Sequence, residues 1–156
     1  MDQNQIEQLL ADLKHANTSV RDRASSRLWQ LWFHQKGVYG VQQLMQAQSL
    51  LEAGELSQAE ALLSEVVQAQ PDFAEAWNRR AVLHYTQHNY WRAIADCQKV
   101  VQLVPYHFGA LHGLGLCHSA VGNYTAAIQA FRQALDVQPY ALVNQRMILE
   151  CTAKLG

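Results

Sequence analysis

Three prolines divide the chain at a fixed interval. Pro71, Pro105 and Pro139 are its only prolines, and each lies 34 residues from the next. An apolar pattern with helical spacing comes directly before each of them. Proline has no amide hydrogen and restrains the residue before it, so it ends one helix and can open the next. The interval therefore predicts an array of similar helical units.

Small residues recur in register with these prolines. Numbering each unit so that its proline is position 32 gives the units 40–73, 74–107 and 108–141. Positions 8 and 20 are small in every unit, and the residues are Ala47, Ala81, Gly115, Ala59, Ala93 and Ala127. Turn-forming residues lie between the two positions. Each unit is thus predicted to be two helices joined by a tight turn, which approach closely where the small residues lie.

This pattern resembles the tetratricopeptide repeat (TPR), which has small residues at positions 8, 20 and 27, a large apolar residue at 24 and proline at 32. Trp77 stands at the family's tryptophan position, and unit 108–141 matches most fully. The resemblance implies an all-α fold, a right-handed α-solenoid with three repeats over residues 38–141. Gln43 and Gln46 occupy positions that are usually apolar. The first helix of repeat 1 is therefore expected either to be rotated or to have the N-terminal segment as its neighbour.

Both ends of the array need covers, because a bare apolar face is a liability. We interpret residues 142–156 as a capping helix. Residues 1–37 resemble a single HEAT-type hairpin, with helices over about 3–15 and 19–35 and a helix end at Gly37. The second helix carries an aromatic cluster, Trp29, Trp32 and Phe33. The cluster is expected to pack against the first helix of repeat 1, or alternatively to form an exposed docking or self-association surface.

A peptide-binding groove follows from the resemblance. The family lines its concave face with positions 2, 5, 6, 9, 12 and 13 of each first helix, which share one side of that helix. The implied partner-binding residues, including one from the last helix, are Leu44, Met45, Gln48, Asn78, Arg79, Val82, Tyr85, His112, Leu116 and Arg146. Such a groove suits an extended or helical peptide with apolar anchors, with or without one acidic group.

One well-known ligand class of the family is not expected. Chaperone-binding members hold a C-terminal carboxylate with Lys, Asn and Arg side chains at fixed positions. The matching positions here hold Leu44, Gln48, Arg79, Gly109 and Gly113. Because four of these side chains carry no charge, we expect that an acidic chaperone tail does not bind.

Composition and motifs argue against several other functions. The net charge is −1, with 12 Lys and Arg against 13 Asp and Glu, so nucleic acid is not an expected partner. Neither a signal peptide nor an apolar run long enough to span a bilayer is evident, so we expect a cytoplasmic protein without membrane insertion. No nucleophile elbow, phosphate loop or metal-ligand spacing is present, so neither an enzyme nor a cofactor is expected.

Three functional hypotheses remain open from the sequence. The first is a non-enzymatic adaptor or assembly factor that binds a protein or peptide in the groove. The second is a self-assembling module that uses the aromatic cluster, with a monomer or weak homodimer as the expected state. The third is a metal or small-ligand protein that uses His84, His112 or His118, although these histidines are more simply explained as hydrogen-bonded core or edge residues.

Overall fold

The computed structural model describes residues 1–156 and contains nine helices and no strands. Successive helices α3 to α9 pack against one another as three hairpins and a final single helix. The all-α repeat architecture expected from the sequence is confirmed. The helices are α1 (Gln3–Asp12), α2 (Thr18–Phe33), α3 (Gly37–Glu52), α4 (Leu56–Ala69), α5 (Ala74–Thr86), α6 (Tyr90–Leu103), α7 (Phe108–Ala120), α8 (Tyr124–Val137) and α9 (Leu142–Leu155).

The turn inside each hairpin has the same backbone geometry in all three repeats. Gly54, His88 and Gly122 occupy equivalent positions and have positive φ angles of 78°, 64° and 80°. In each case the next amide donates to a carbonyl five residues earlier, at 2.8 to 2.9 Å. This is the left-handed termination that glycine favours. His88 shows that the repeat imposes this conformation even on a residue with a β-carbon.

The small residues allow the two helices of a hairpin to approach closely. In repeat 3, a β-carbon placed on Gly115 would lie 2.5 Å from the ring of Phe131 on α8. The alanines at position 20 are fully buried in all three repeats. Gly113 differs from Gly115, because a β-carbon there would meet only the sulfur of Cys97, at an ordinary 3.5 Å. Only one of these two helical glycines is therefore required by packing.

We predict opposite effects of alanine at these two neighbouring glycines. Gly113→Ala should raise the free energy of unfolding by about 1 kcal/mol, because alanine favours the helix and its β-carbon fits. Gly115→Ala should lower it by about 1 to 3 kcal/mol, because the Phe131 ring must move. Urea denaturation followed by circular dichroism measures both. Equal effects of the two substitutions would contradict this account of helix packing.

The N-terminal hairpin folds back along one edge of the array. Helix α2 and the short turn after it contact the three turns that join successive repeats and the last helix. The Arg21 guanidinium lies 3.9 Å from the centre of the Tyr140 ring, and Lys36 Nζ lies 2.7 Å from a carboxylate oxygen of Asp72.

The two N-terminal helices are also shorter than expected. Gly37 has a φ of +67° and begins α3 after a short turn, rather than ending α2 directly.

Helix α2 is held by aromatic packing against the turn between repeats 2 and 3. The indole of Trp32 stacks on His107 with ring centres 4.0 Å apart and planes 20° apart. Trp29 meets Trp32 and Phe108 edge-on, at 5.1 and 5.3 Å. The expected packing partner, the first helix of repeat 1, is therefore wrong for the two tryptophans. Because Trp32 is only 3% exposed, it also cannot belong to an exposed self-association surface.

Replacing Trp32 should weaken the whole fold. We expect Trp32→Ala to cost about 3 to 5 kcal/mol, as is usual for truncating a buried aromatic side chain. Trp91 is 68% exposed on α6, and Trp91→Ala should stay within about 0.5 kcal/mol of the parent protein. Chemical denaturation of both variants provides the comparison. A Trp32→Ala protein as stable as the Trp91→Ala protein would show that α2 is not docked as described.

Helix α3 keeps the repeat register. It buries repeat positions 1, 5 and 8, where Leu44 and Ala47 are positions 5 and 8, and α5 buries the same three positions. Gln46 is exposed, and Gln43 is half-buried and accepts a hydrogen bond from Gln70 Nε2 at 3.1 Å. The expected rotation of this helix is therefore not seen, and the glutamines at positions 4 and 7 lie at the margin of the apolar interior or outside it.

Candidate functional site

Two adjoining cavities form a groove across the first helices of the repeats. The first has a volume of about 270 Å³ and lies between α3 and α5, and the second has about 200 Å³ and lies between α5 and α7. Asn78 and Val82 line both cavities. Val82 is 55% exposed, so the two cavities join at an accessible apolar side chain. We call the two cavities together the groove.

The groove contains seven of the ten residues that the sequence predicted. Trp29 joins these residues in the first cavity, although the sequence placed it on a separate surface. Trp29 reaches the groove because α2 folds back over the turn before α7. The predicted residues that line the groove are Gln48, Asn78, Arg79, Val82, Tyr85, His112 and Leu116.

The other three predicted residues lie elsewhere. Leu44 is wrong as a groove residue because it is completely buried in a core cluster, against which Phe33 of the N-terminal hairpin also packs. Met45 is 58% exposed but lines neither cavity. Arg146 is also outside the groove, where it lies 3.9 Å from Glu150 on the exposed surface of α9. The repeat register alone could not reveal this burial, because Phe33 lies outside the repeats.

A buried carboxylate lies at the base of the first cavity. Glu75 is 2% exposed, and its Oε1 accepts a hydrogen bond of 2.9 Å from Asn78 Nδ2. His107 Nε2 approaches the same oxygen at 3.6 Å, and Arg79 Nε lies 3.7 Å from Oε2. Three potential donors thus converge on one carboxylate, which offsets the cost of burying its charge. This network fixes Asn78 and Arg79 along the wall of the groove.

His107 connects this network to the N-terminal hairpin. The ring is completely buried, and Nδ1 accepts a hydrogen bond of 3.0 Å from the amide of Ala110 at the start of α7. Since Nδ1 acts as an acceptor, the proton of the neutral ring belongs on Nε2, which faces Glu75. Trp32 covers one face of the ring and Trp29 meets its edge. Through His107, the N-terminal hairpin therefore packs against the base of the first cavity.

A second buried network lies between α5 and α6. Arg80 donates two hydrogen bonds of 2.8 Å to the buried carboxylate of Asp96, and this pairing raises the pKa of Arg80. His84 Nε2 lies 3.7 Å from Asp96. Burial lowers the pKa of His84, although the nearby carboxylates oppose the shift. Burial also lowers the pKa of His118 in the next repeat.

These histidines predict a loss of stability in mild acid. A lowered pKa in the folded protein means that the unfolded chain takes up protons first, near its ordinary pKa of about 6.5. The stabilising contribution is complete above that pH and is lost progressively as the pH falls from there through the lower pKa values of the folded histidines. We expect the free energy of unfolding to fall from about pH 7 to pH 5.5. The double variant His84→Gln with His118→Gln should show a smaller decrease, and an unchanged pH slope would contradict this assignment.

The histidines do not assemble into a metal site. His112 Nδ1 lies 2.8 Å from Asn144 Oδ1, at the end of the groove. No group of three or more His, Cys, Asp or Glu side chains is placed to hold a metal ion.

The structure also has no helix with both the length and the apolar character needed to cross a bilayer.

The sequence matches a known repeat family. The tetratricopeptide repeat matches over residues 44–108 and again over residues 108–141. A TPR repeat-containing protein of Rhizobium etli is 30% identical over 152 residues, which cover 97% of this chain and 74% of the relative. The human SGT1 homolog is 33% identical over 78 residues, covering 49% of this chain and 21% of that protein. The chain belongs to the tetratricopeptide-repeat family.

Solved structures of TPR domains share the fold. The first TPR domain of Spaghetti (RPAP3), bound to an HSP90 peptide, aligns with a TM-score of 0.70 and 16% identity, covering 74% of this chain and 91% of that domain. The TPR2B domain of yeast Sti1, in a complex with Hsp70, aligns with a TM-score of 0.66 and 17% identity, covering 72% and 95% of the two chains. At this level of identity, the similarity establishes the fold alone.

Proposed function

We propose that this protein is a non-enzymatic adaptor or assembly factor that binds a peptide or protein segment in the groove. The observation that carries the proposal is the pair of adjoining cavities, which share an accessible apolar residue and contain polar side chains fixed by buried contacts. Related TPR domains bind peptides, which supports this class of function. A cytoplasmic location is part of the proposal, since all three cysteines are free thiols, as is usual in a reducing compartment.

The ligand proposed for this groove differs from an acidic chaperone tail. Leu44 is buried where a clamp would need a basic side chain, and Gly109 offers no side chain at all. The space beside Gly109 is filled by the Trp29 ring, since a β-carbon there would lie 2.5 Å from the indole. Arg79 is the one guanidinium that lines the groove. A mainly apolar segment therefore fits better than a string of carboxylates.

Arg79 and Tyr85 are the side chains most suited to orient such a segment. The Arg79 guanidinium lies 5.2 Å from the centre of the Phe33 ring, while its Nε faces Glu75. The ionic contact of Arg79 with Glu75 uses Nε, so its two terminal nitrogens remain free for a carbonyl or carboxylate of the ligand. Tyr85 lines the second cavity, whose surface is mostly apolar. Apolar anchors would lie there and beside Val82.

Photo-crosslinking tests the location of the binding surface. A photoreactive phenylalanine analogue at Val82 should crosslink a partner in a lysate of the source cells, because Val82 borders both cavities. The matched control carries the same analogue at Trp91, which is similarly exposed but lines neither cavity. Crosslinked products of equal yield and identity at the two positions would argue against the groove.

Substitution within the groove tests the proposed contacts. The variant Arg79→Glu with Tyr85→Ala should lose the Val82 crosslink at least tenfold, the effect of about 1.4 kcal/mol in binding. Circular dichroism should show unchanged helicity, and Trp91→Ala should crosslink like the parent protein. If capture persists in the folded double variant, these two side chains do not orient the ligand.

A further inference from the structure

Two cysteines from neighbouring repeats meet in the wall of the second cavity. Cys97 is on α6 and Cys117 is on α7, and both residues line the cavity between α5 and α7. The Cys97 sulfur lies 3.5 Å from the position of a β-carbon on Gly113. Gly113 and Cys117 are four residues apart on α7 and so share one face of that helix. The packing of α6 on α7 thus brings two thiols together beside the groove.

The absence of a side chain at Gly113 matters for access to these thiols. Any side chain there would extend over the Cys97 sulfur from the same side of α7 that lines the cavity. Helix packing does not require the glycine, because a β-carbon there would make only an ordinary contact with the Cys97 sulfur. Its effect is to leave the sulfur pair in contact with a mostly apolar cavity of about 200 Å³.

The two thiols influence each other's protonation. The proximity of the Cys117 side chain is the main reason that the pKa of Cys97 is raised, and burial adds to this shift. The proximity of Cys97 in turn lowers the pKa of Cys117, although burial opposes that shift. Cys117 is therefore the first of the pair to lose its proton, with the protonated Cys97 beside its sulfur anion.

We propose that Cys97 and Cys117 form a dithiol site in the groove wall that binds a trivalent arsenical, a soft electrophile that takes two sulfur ligands. Soft thiolate ligands suit soft centres. The site does not suit zinc, because zinc needs three or four ligands and no third His, Cys, Asp or Glu is placed to complete a set. This inference is independent of the peptide-binding function proposed above.

The reaction balances without an oxidant or reductant. An organic arsenic(III) oxide reacts with the two thiols to form two arsenic–sulfur bonds. The arsenic–oxygen bond breaks, and the oxygen leaves as water with the two thiol protons. A phenyl group on the arsenic also fits the space, since an engineered apolar cavity of about 150 Å³ holds benzene.

The chain contains its own control for this site. Cys151 on α9 is also buried, and it occupies the position in the array that is equivalent to Cys117. Its nearest polar partner is Ser119, whose oxygen lies 3.8 Å from the Cys151 sulfur, and not a second thiol. Cys117 and Cys151 thus share burial and repeat position. They differ in the neighbouring group, which is the thiol of Cys97 for Cys117 and the hydroxyl of Ser119 for Cys151.

Intact-mass spectrometry of the folded protein with one equivalent of phenylarsine oxide tests the proposal. The parent protein and Cys151→Ser should each gain one phenylarsenic group that survives an excess of glutathione. Cys97→Ala and Cys117→Ala should each lose that stable adduct. No adduct on the folded parent protein, or a stable adduct on either of the last two variants, would overturn the assignment.

A measurement on the parent protein avoids dependence on the folding of the variants. The adduct is unfolded without removing the arsenical and is then treated with iodoacetamide. Peptide mapping should find the alkyl group on Cys151 alone, because the other two sulfurs are held by arsenic. Alkylation of Cys97 or Cys117 in the adduct would contradict the proposal. Circular dichroism before unfolding should show that the adduct keeps the helical fold of the free protein.

Discussion

The whole array depends on how closely two helices approach in each hairpin. At Gly115 the ring of Phe131 occupies the volume that a β-carbon would need, and buried alanines fill the equivalent crossing points of the other repeats. Small residues occupy the sites where the two helices of a hairpin cross, whereas larger side chains line the groove. The cavities between α3, α5 and α7 are the space left between these larger side chains.

Two adjacent arginines on α5 place their guanidinium groups on opposite sides of the array. Arg79 faces the groove and approaches Glu75, whereas Arg80 pairs with Asp96 behind it. Both carboxylates are buried, but they depend on the arginines to different degrees. Removing Arg80 would leave Asp96 without the donor of its two short hydrogen bonds, which is costly. Glu75 keeps the hydrogen bond from Asn78 when Arg79 is replaced. The Arg80–Asp96 pair is therefore the one that holds α5 against rotation about its axis.

The sequence predicted those parts of the fold that the repeat itself determines. The proline interval located every helix of the array, and seven of the residues that the repeat register proposed for binding line the groove. Leu44 does not, because it is buried in a core cluster against which Phe33, from outside the repeats, also packs. Trp29 was missed because residues 1–37 lie outside the 34-residue period. Nothing in their local pattern indicates that α2 would cross the turns near Tyr106 and Phe108.

The course of α2 changes how the array should unfold. In a linear repeat protein each unit contacts only its neighbours, so stability is a sum of local terms and the end units can open separately. Here α2 contacts Tyr140 and His107, and Lys36 in the turn directly after it contacts Asp72, so one continuous segment touches all three junctions. Opening any junction disturbs this same segment. The three repeats should therefore behave as one cooperative unit rather than as a chain that frays from its ends.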